Sequence, residues 1–328
     1  MGKGSNLRLR LLYVLDYLRN YSSEVSPVSA ADIIKMLDSN GISAERKAIY
    51  EDVAALIDFG YDIIKTSSPK SGYFLASREF EDAEIYLLAD AVRTADFITV
   101  KKTKQLIKKL YSVLGVGRED VLQKDGISSF SKCSNESIYY NIDLISTAIA
   151  RKKQIIVEYV IRKLNNRSID KTVKSFTINP YALIWSDDNY YLVGNNVKYD
   201  NFTNLRVDKI KSVTVTDTPR ENCAALSGKP FDVAEYTRQT FNMFSGEEKT
   251  IELKCQNELL DKVIDRFSDN IYIRNCDDGN FSFSVKAYVS EGLMGWILQF
   301  GGKIEVLSPP DLRQRITKSV AEMNKAYN

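Results

Sequence analysis

The spacing of apolar residues changes once along this chain, near Arg151, and that change limits what the chain can fold into. Before it, apolar side chains recur every three or four residues, as on the buried face of a helix. Leu11, Leu15 and Leu18 are one such set. From Gln154 onward the apolar residues stand in short runs rich in β-branched and aromatic side chains, which favour strands. The sequence therefore predicts an α+β chain of several domains, helical first and β-rich afterwards.

Start and stop signals define the predicted helices in the first 60 residues. Ser29-Ala-Ala-Asp32 is a capping box that starts the second helix, and Asn40-Gly41 supplies the left-handed residue that ends it. Ser43 is predicted to cap a third helix, from Ala44 to about Asp58, which Gly60 terminates. These signals give three helices separated by short turns.

A hairpin and then further helices are predicted after the third helix. Tyr61–Lys65 and Tyr73–Ala76 are short apolar runs on either side of a loop rich in turn-forming residues. Three helices followed by a hairpin make residues 1–77 a predicted winged helix-turn-helix domain. Residues 78–136 are predicted to be a helical linker, because helical spacing continues from Glu79 to Leu114.

The β-rich part divides into two predicted domains. Residues 137–220 begin with a helix, Ile138–Arg151, and continue with five short strands, which predict a small barrel. The predicted strands are Gln154–Ile161, Val173–Ile178, Tyr181–Trp185, Tyr190–Val193 and Asp208–Thr216. In residues 221–328 a helix, Phe231–Met243, precedes strands and helices in the ferredoxin-like order βαββαβ. A further helix, Asp311–Tyr327, follows them.

The chain contains no histidine among its 328 residues, and this absence restricts the chemistry it can perform. It rules out Ser-His-Asp and Cys-His catalysis and imidazole ligation of a metal. The four cysteines form no CxxC pair, so we expect reduced thiols in a cytoplasmic protein rather than a zinc site or disulfides. No run approaches the ~18 apolar residues of a membrane span. Composition thus predicts a binding protein that is not an enzyme, carries no metal or cofactor and does not enter a membrane.

The predicted third helix has the polarity of a helix that reads double-stranded DNA. Its apolar residues, Ile49, Val53 and Leu56, define a buried face, and the opposite face carries side chains that suit nucleic acid. Arginine can bind guanine or phosphate, lysine neutralises phosphate, and tyrosine donates a hydrogen bond to phosphate. The predicted DNA-binding residues are Ser43, Arg46, Lys47, Tyr50 and, at the tip of the hairpin, Lys70 and Ser71.

A purely structural role for these charges is the alternative. Arg46 and Lys47 lie among Glu45, Glu51 and Asp52, with which they could form a solvated, self-paired helix surface. The first 80 residues carry ten basic and ten acidic side chains, so the domain is not strongly basic as a whole. Contact with DNA therefore depends on the local charge at the start of the helix.

Three motifs in the β-rich half resemble those of the WYL domain family. Asn179–Trp185 matches its proline-led strand, Tyr190-Tyr191-Leu192 its Trp-Tyr-Leu triplet, and Leu205–Ile210 its Phe-Arg-Leu-Asp-Arg-Ile segment. Other segments resemble the recognition helix, linker and C-terminal extension of WYL-type regulators; they are Arg46–Asp52, Phe80–Phe97, Trp296–Gly301 and Val306–Arg313.

The resemblance implies a transcriptional regulator with a winged helix-turn-helix, a WYL domain of Sm-like barrel fold, and a C-terminal extension that forms a homodimer. It also implies a site for a nucleic-acid or nucleotide effector in the barrel. Carried over residue by residue, that site comprises Tyr159, Tyr190, Tyr191, Arg206, Asp208 and Lys209. Tyr190 replaces the triplet's tryptophan and keeps a stacking ring, whereas Lys209 replaces an arginine and loses its two-pronged hydrogen bond.

The chemistry of this set suits an anionic ligand, because aromatic rings stack on bases and cations neutralise phosphates. Residues 151–174 add eight basic side chains against two acidic ones. In the alternative interpretation Tyr159 and Tyr191 belong to the barrel core and Arg206 pairs with Asp208. The predicted function is a ligand-responsive, sequence-specific regulator of bacterial type. The alternative function is a nucleic-acid-binding accessory protein of DNA metabolism or phage defence that regulates no promoter.

Overall fold

The structure is a computed structural model in which the chain forms two compact units, Met1–Lys132 and Cys133–Asn328. It describes residues 3–68, 70–77, 80–113, 132–226, 228–268, 271–276 and 279–328. The fold is mixed, with helices at the beginning of the chain and three antiparallel sheets among the described residues.

The first unit begins with three helices and a hairpin. They are α1 (Lys3–Tyr21), α2 (Ala30–Ser39), α3 (Arg46–Phe59), β1 (Ile63–Thr66) and β2 (Gly72–Leu75). Leu18 of α1, Ile33 of α2 and Ile49 of α3 are fully buried in one core, as their helical spacing predicts. The two strands pair antiparallel, and a bridge between Val28 and Tyr73 attaches the hairpin to the residues before α2.

The predicted start and end of α2 are confirmed. The Ser29 hydroxyl accepts a hydrogen bond from the Asp32 amide at 3.2 Å, and the Asp32 carboxylate accepts one from the Ser29 amide at 3.0 Å. Gly41, just beyond the helix, has a left-handed φ of +73°. Gly60 likewise ends α3 with a φ of +116°.

The predicted start of α3 is wrong. The helix begins at Arg46, and its N-cap residue is Glu45, which makes no side-chain capping hydrogen bond. Ile42 is buried in the core of the first unit, and the backbone is still extended at Glu45, so the helix starts later than a Ser43 cap would allow.

A helical pair follows the hairpin in the first unit. It consists of α4 (Asp82–Thr94) and α5 (Val100–Ser112). Ile85 and Ala89 of α4 pack with Ile107 and Tyr111 of α5 in a small core of their own. The helical character predicted for this segment is therefore present in both helices, and residues 114–131 of the predicted linker lie outside the described residues.

The second unit begins with α6 (Ile138–Ala150) packed on a five-stranded antiparallel sheet. The strands are β3 (Lys153–Asn165), β4 (Ser168–Ser186), β5 (Asn189–Asn196), β6 (Phe202–Arg206) and β7 (Ile210–Pro219). Their order is β6-β5-β4-β3-β7, so β6 and β7 form the edges. Ile145 of α6 and Val157 of β3 are fully buried.

Two strand predictions in this sheet are corrected. The runs predicted as separate strands on either side of Pro180 form a single strand, β4, whose register with β5 shifts between Pro180 and Ala182. A bulge tolerates proline because the missing N–H is not needed in the ladder there. β6 is a further strand that the sequence does not predict, because its polar Thr203 and Asn204 weaken the apolar pattern.

β3 and β4 extend beyond the rest of their sheet. The pairing of β3 with β7 stops at Tyr159, and the pairing of β4 with β5 starts at Ile178. Residues 160–173 of the two strands pair only with each other in the described ladders. We call this two-stranded projection, residues 160–173, the β3–β4 ribbon.

The remainder of the second unit is built on a four-stranded antiparallel sheet. After a short helix, α7 (Val233–Gln239), the elements are β8 (Glu247–Gln256), α8 (Leu260–Phe267), β9 (Ile273–Cys276), β10 (Asn280–Val289), α9 (Glu291–Leu298), β11 (Ile304–Ser308) and α10 (Pro310–Tyr327). The strand order is β11-β8-β10-β9, with Leu253, Phe281 and Phe283 in the core. The helix predicted over Phe231–Met243 is shorter, because the backbone becomes extended at Thr240.

Candidate functional site

The solvent-facing side of α3 carries the predicted DNA-binding cations. Arg46, Lys47 and Tyr50 are exposed, while Ile49 and Val53 on the other side are buried. Arg46 makes neither a hydrogen bond nor an ion pair with any residue in the described part of the chain. The Lys47 ammonium lies 4.0 Å from Glu51, and both side chains are more than half exposed, so this pair is weak. The start of α3 therefore presents cationic groups that a phosphate can reach.

Asp52 does not belong to that charged surface. It is 6% exposed and receives two hydrogen bonds from Arg10 of α1, from Nε at 2.5 Å and from Nη2 at 2.9 Å. The Arg10 pKa is raised, chiefly by the hydrogen bond to Asp52. Asp52 is thus directed into the protein, and it does not neutralise Arg46 or Lys47. Sequence spacing gave no signal for this pair, since its members are 42 residues apart.

The hairpin lysine is held by the capping box of α2. The Lys70 ammonium lies 2.7 Å from the Asp32 carboxylate, which also accepts hydrogen bonds from Ser29. These contacts, led by the one from Lys70, lower the Asp32 pKa from 3.8 to about 2. Ser43 and Ser71 are exposed, and the Tyr50 ring lies 6.4 Å from that of Tyr73 in β2. Lys70 is therefore already paired with a carboxylate, unlike Arg46.

The second candidate site is centred on the end of β6. Arg206 donates two hydrogen bonds to Asp208, from Nε at 3.0 Å and from Nη2 at 2.9 Å. This is the pairing that the sequence left open as an alternative to ligand binding. Tyr191 of β5 lies directly opposite Arg206, so both side chains emerge on one face of the sheet. The guanidinium is still one-third exposed at its side chain, which leaves part of it open to solvent.

Tyr159 joins this group and Tyr190 does not. Burial raises the Tyr159 pKa to about 12, with the charge of Asp208 acting in the same direction and that of Arg206 opposing it. The Tyr159 ring also lies 6.3 Å from Phe176. Tyr190 precedes Tyr191 on the same strand, and neighbouring strand residues point to opposite faces. It stands opposite Trp185.

Two asparagines that the sequence did not single out fix the segment after Arg206. Asn135 donates to the carbonyls of Asp208 at 3.2 Å and Ile210 at 2.8 Å, and Asn141 of α6 donates to the Ile210 carbonyl at 2.9 Å. Cys133 lies in the same region, where burial raises its pKa. The amides hold the backbone that carries Asp208 and Lys209. The two asparagines could not be identified from the sequence, because each lies about 70 residues along the chain from the carbonyl of Ile210 that it contacts.

A cavity of about 230 Å³ opens beside Asp208. Its lining residues are Ser134, Asn135, Ser137, Val160, Arg162, Lys171, Asp208, Lys209 and Lys211. The single carboxylate is already paired with Arg206, and of the four cations Lys211 is shared with Glu158 at 3.4 Å. Arg162, Lys171 and Lys209 make no ion pair within the described part of the chain. The cavity thus has a positive lining with hydroxyl and amide groups, a combination that suits phosphate.

Two further properties bear on the class of protein. Among the described residues no three side chains of the metal-binding types come together. None of the described helices is both long and apolar enough to cross a membrane.

Family models match both parts of the second unit. A WYL domain matches residues 140–215, and a WCX domain matches residues 247–323. The second unit therefore contains a WYL domain and a WCX domain. The predicted WYL resemblance is confirmed. The matched WYL segment contains all six predicted ligand residues and the cationic lining of the cavity from Arg162 to Lys211.

Solved structures with a similar chain are only distantly related. One is proteasome accessory factor B/C (PafBC) of Arthrobacter aurescens, at 17% identity and a TM-score of 0.29, covering 95% of this chain and 47% of that one. The chain thus spans about half the length of PafBC. Another is described as a CRISPR Cas-related protein, at 14% identity and a TM-score of 0.39, covering 99% of this chain and 85% of that one. No curated protein matches the sequence.

Proposed function

We propose that this protein is a sequence-specific DNA-binding transcriptional regulator whose WYL domain binds a nucleic-acid or nucleotide effector. The observation that carries the proposal is the exposed cationic face of α3 in a compact unit separate from the one that contains the WYL domain. In a winged helix-turn-helix the recognition helix enters the major groove with its N-terminal residues on the bases. Arg46, Lys47 and Tyr50 stand at that end of α3.

The effector is proposed to bind through its phosphate at the WYL cavity. Lys209 and its neighbouring cations neutralise the phosphate, and Tyr191 offers a ring on the face that Arg206 shares. The Arg206–Asp208 pair orients the guanidinium. Because Nε and Nη2 are donated to Asp208, Arg206 is proposed to reach a phosphate through the N–H groups that this pair leaves open on its one-third exposed side chain.

The protein is proposed to act as a homodimer, because one winged helix-turn-helix covers a single half-site and a two-fold dimer covers both. Sedimentation should then give a species of twice the 37.2 kDa chain mass at micromolar concentration. A species of chain mass alone, with and without DNA, would contradict this part of the proposal.

Footprinting on the DNA upstream of the protein's own gene tests DNA recognition. A protected palindromic site is expected. Arg46→Ala should then lower affinity for that site by about 1–3 kcal/mol if the arginine binds a base, and Lys47→Ala should weaken binding to every sequence alike. Lys35→Ala on α2, which also removes an exposed lysine, is the matched control. Equal binding to all sequences would favour the accessory protein without promoter regulation.

The effector site is tested by its linkage to DNA binding. A bound effector and the DNA site must change each other's affinity by the same factor. Arg206→Ala should abolish the effect of an added nucleotide or oligonucleotide on DNA affinity while leaving affinity without effector near that of the wild type. An unchanged effector response in this variant would assign Arg206 a purely structural role.

A further inference from the structure

The β3–β4 ribbon is a projection with almost no apolar support. Beyond Tyr159 its strands pair only with each other, and from Arg162 to Ser175 each residue is exposed. An isolated two-stranded ribbon is marginally stable by itself.

The charges of the ribbon and its base are nearly all of one sign. Residues 160–174 include Arg162, Lys163, Arg167, Lys171 and Lys174 against the single carboxylate of Asp170. That carboxylate accepts hydrogen bonds from Asn165 and Ser168. None of the five cations makes an ion pair with a residue that the structure describes. Residues 160–174 therefore carry an excess of four positive charges.

Two of these cations face each other across the ribbon. Arg162 and Lys171 are directly opposite in the ladder, so both emerge on the same face. Like charges in this position destabilise a strand pair. Both residues also line the WYL cavity, so the positive surface continues from Lys209 in the cavity onto the ribbon.

An exposed apolar pair lies beyond the two cations on the same face. Leu164 and Ile169 are directly opposite each other, and they are 80% and 66% exposed. From Val160 at the cavity to Leu164 the ribbon advances about 13 Å at ~3.3 Å per residue. That length covers several of the ~3.4 Å axial steps between nucleotides of a strand in duplex DNA.

We propose that the β3–β4 ribbon is a nucleic-acid-binding arm that extends the WYL cavity, so that the preferred ligand is a strand of several nucleotides rather than a mononucleotide. This inference rests on the proposed anion site in the cavity. Arg162 and Lys171 bind the backbone phosphates that follow the one in the cavity, and Leu164 and Ile169 contact bases or sugars. Proteins that bind single strands without sequence preference combine a positively charged groove with aromatic side chains that stack on the bases, and on the ribbon the aliphatic pair takes the place of the rings.

The charge pattern favours nucleic acid over a protein partner. The backbone of a strand supplies one negative charge at every nucleotide, which matches cations that recur from Lys209 through Lys171 to Arg167. Aliphatic side chains on β-elements also serve as wedges between bases in architectural DNA-binding proteins.

Binding of unrelated-sequence oligonucleotides to the full chain, followed by fluorescence anisotropy, tests the arm. The probes are a dinucleotide, a single strand of about 12 nucleotides and a duplex of that length. The wild type should bind the longer single strand more than about tenfold more tightly than the dinucleotide. Leu164→Ser with Ile169→Ser should remove this length dependence and leave dinucleotide affinity unchanged. The control variant, Val320→Ser with Met323→Ser, removes an apolar pair from α10 that is about half exposed.

The cations give a second readout, which reports on the arm and the cavity together because Arg162 and Lys171 line both. Arg162→Gln with Lys171→Gln should flatten the plot of log affinity against log salt for the longer strand by about 1.4, at about 0.7 per phosphate contact. Lys262→Gln with Lys325→Gln removes the same charge from elsewhere in the second unit and should leave the slope unchanged.

The outcomes separate the arm from the cavity. If length dependence persists in the apolar variant and the slope persists in the cation variant, the arm is refuted even if the dinucleotide binds. If only the duplex shows the predicted length and slope effects, the arm is supported and its ligand is double-stranded. If the wild type binds the longer strand but no dinucleotide, and the arm variants lose that binding, the arm is supported and the proposed nucleotide site in the cavity is wrong. If the apolar variant changes the sedimenting mass of the protein and not its nucleic-acid affinity, the ribbon is a subunit contact and the proposal is wrong.

Discussion

Removal of the buried partner of Arg10 should loosen α3, the helix that carries the proposed DNA-binding face. Asp52→Ala leaves the Arg10 guanidinium with 13% side-chain exposure and without the two hydrogen bonds it makes at 2.5 and 2.9 Å. A hydrogen bond to a charged group contributes about 1.5–3 kcal/mol, and loss of one partner from a buried pair costs about 3–5 kcal/mol. Because both side chains retain some contact with water, we expect the lower end, about 3 kcal/mol.

Hydrogen–deuterium exchange of α3 in the full chain measures this effect directly. Both tryptophans, Trp185 and Trp296, lie in the second unit, so tryptophan fluorescence does not report on the first. A loss of about 3 kcal/mol should raise the exchange of α3 amides by about 100-fold. Lys47→Ala, which removes only an exposed pair at 4.0 Å, should raise it less than about threefold.

Replacement of both partners decides whether the cost comes from an unpaired charge. Arg10→Met with Asp52→Leu substitutes apolar side chains for the pair, and such replacements are often neutral or stabilising. The double variant should therefore recover most of the protection lost in Asp52→Ala. Unchanged exchange in Asp52→Ala, or a double variant as unprotected as the single one, would refute this explanation.

Three other perturbations have definite expected results. Ser29→Ala removes the N-cap of α2 and should cost about 1 kcal/mol, seen as faster amide exchange at the start of that helix. Because the Asp32 pKa is lowered to about 2, the ionised carboxylate stabilises the fold above pH 3.8, and this contribution is lost as the pH falls through about 2. Lys70→Met should raise the Asp32 pKa in a carboxyl NMR titration. An unchanged value would contradict the Lys70–Asp32 pairing. Gly194→Ala would place its Cβ 2.6 Å from the Asn179 carbonyl oxygen and should cost about 1–3 kcal/mol, measured by denaturant unfolding followed at Trp185. Gly295→Ala on α9 is the control. Its added Cβ would meet no neighbouring atom within 4 Å, so this variant should be neutral or stabilising.

Local signals in the sequence were the reliable ones. The Ser29–Asp32 capping box and Gly60 act within a single turn of helix, so their residues alone determine them. The predicted start of α3 is wrong because burial of Ile42, a tertiary effect, keeps the chain extended past Ser43. The predicted strands Val173–Ile178 and Tyr181–Trp185 are one strand, because Pro180 between them stands at a bulge inside β4.

The candidate sites could be predicted only as far as residue type allows. The exposed face of α3 follows from helical periodicity, and the WYL motif placed Tyr191 and Arg206 in one domain. Whether Arg206 pairs with Asp208 could not be decided from the sequence, since both outcomes use the same residues. The contacts of Asn135 and Arg10 span tens of residues, and no pattern in one sequence encodes such distances.

The attachment of the hairpin to α2 makes that part of the first unit preorganised. Val28 and Tyr73 exchange two backbone hydrogen bonds of 2.8 Å, and a Cβ on Gly72 would meet the Val28 carbonyl oxygen at 2.6 Å. Together with the Lys70–Asp32 pair, these contacts keep the hairpin from moving independently of the helices. A partner that touches both α3 and the hairpin therefore meets a surface of fixed spacing. Little conformational entropy is then lost on binding. If the partner is DNA, the hairpin cannot shift to fit a groove of a different width.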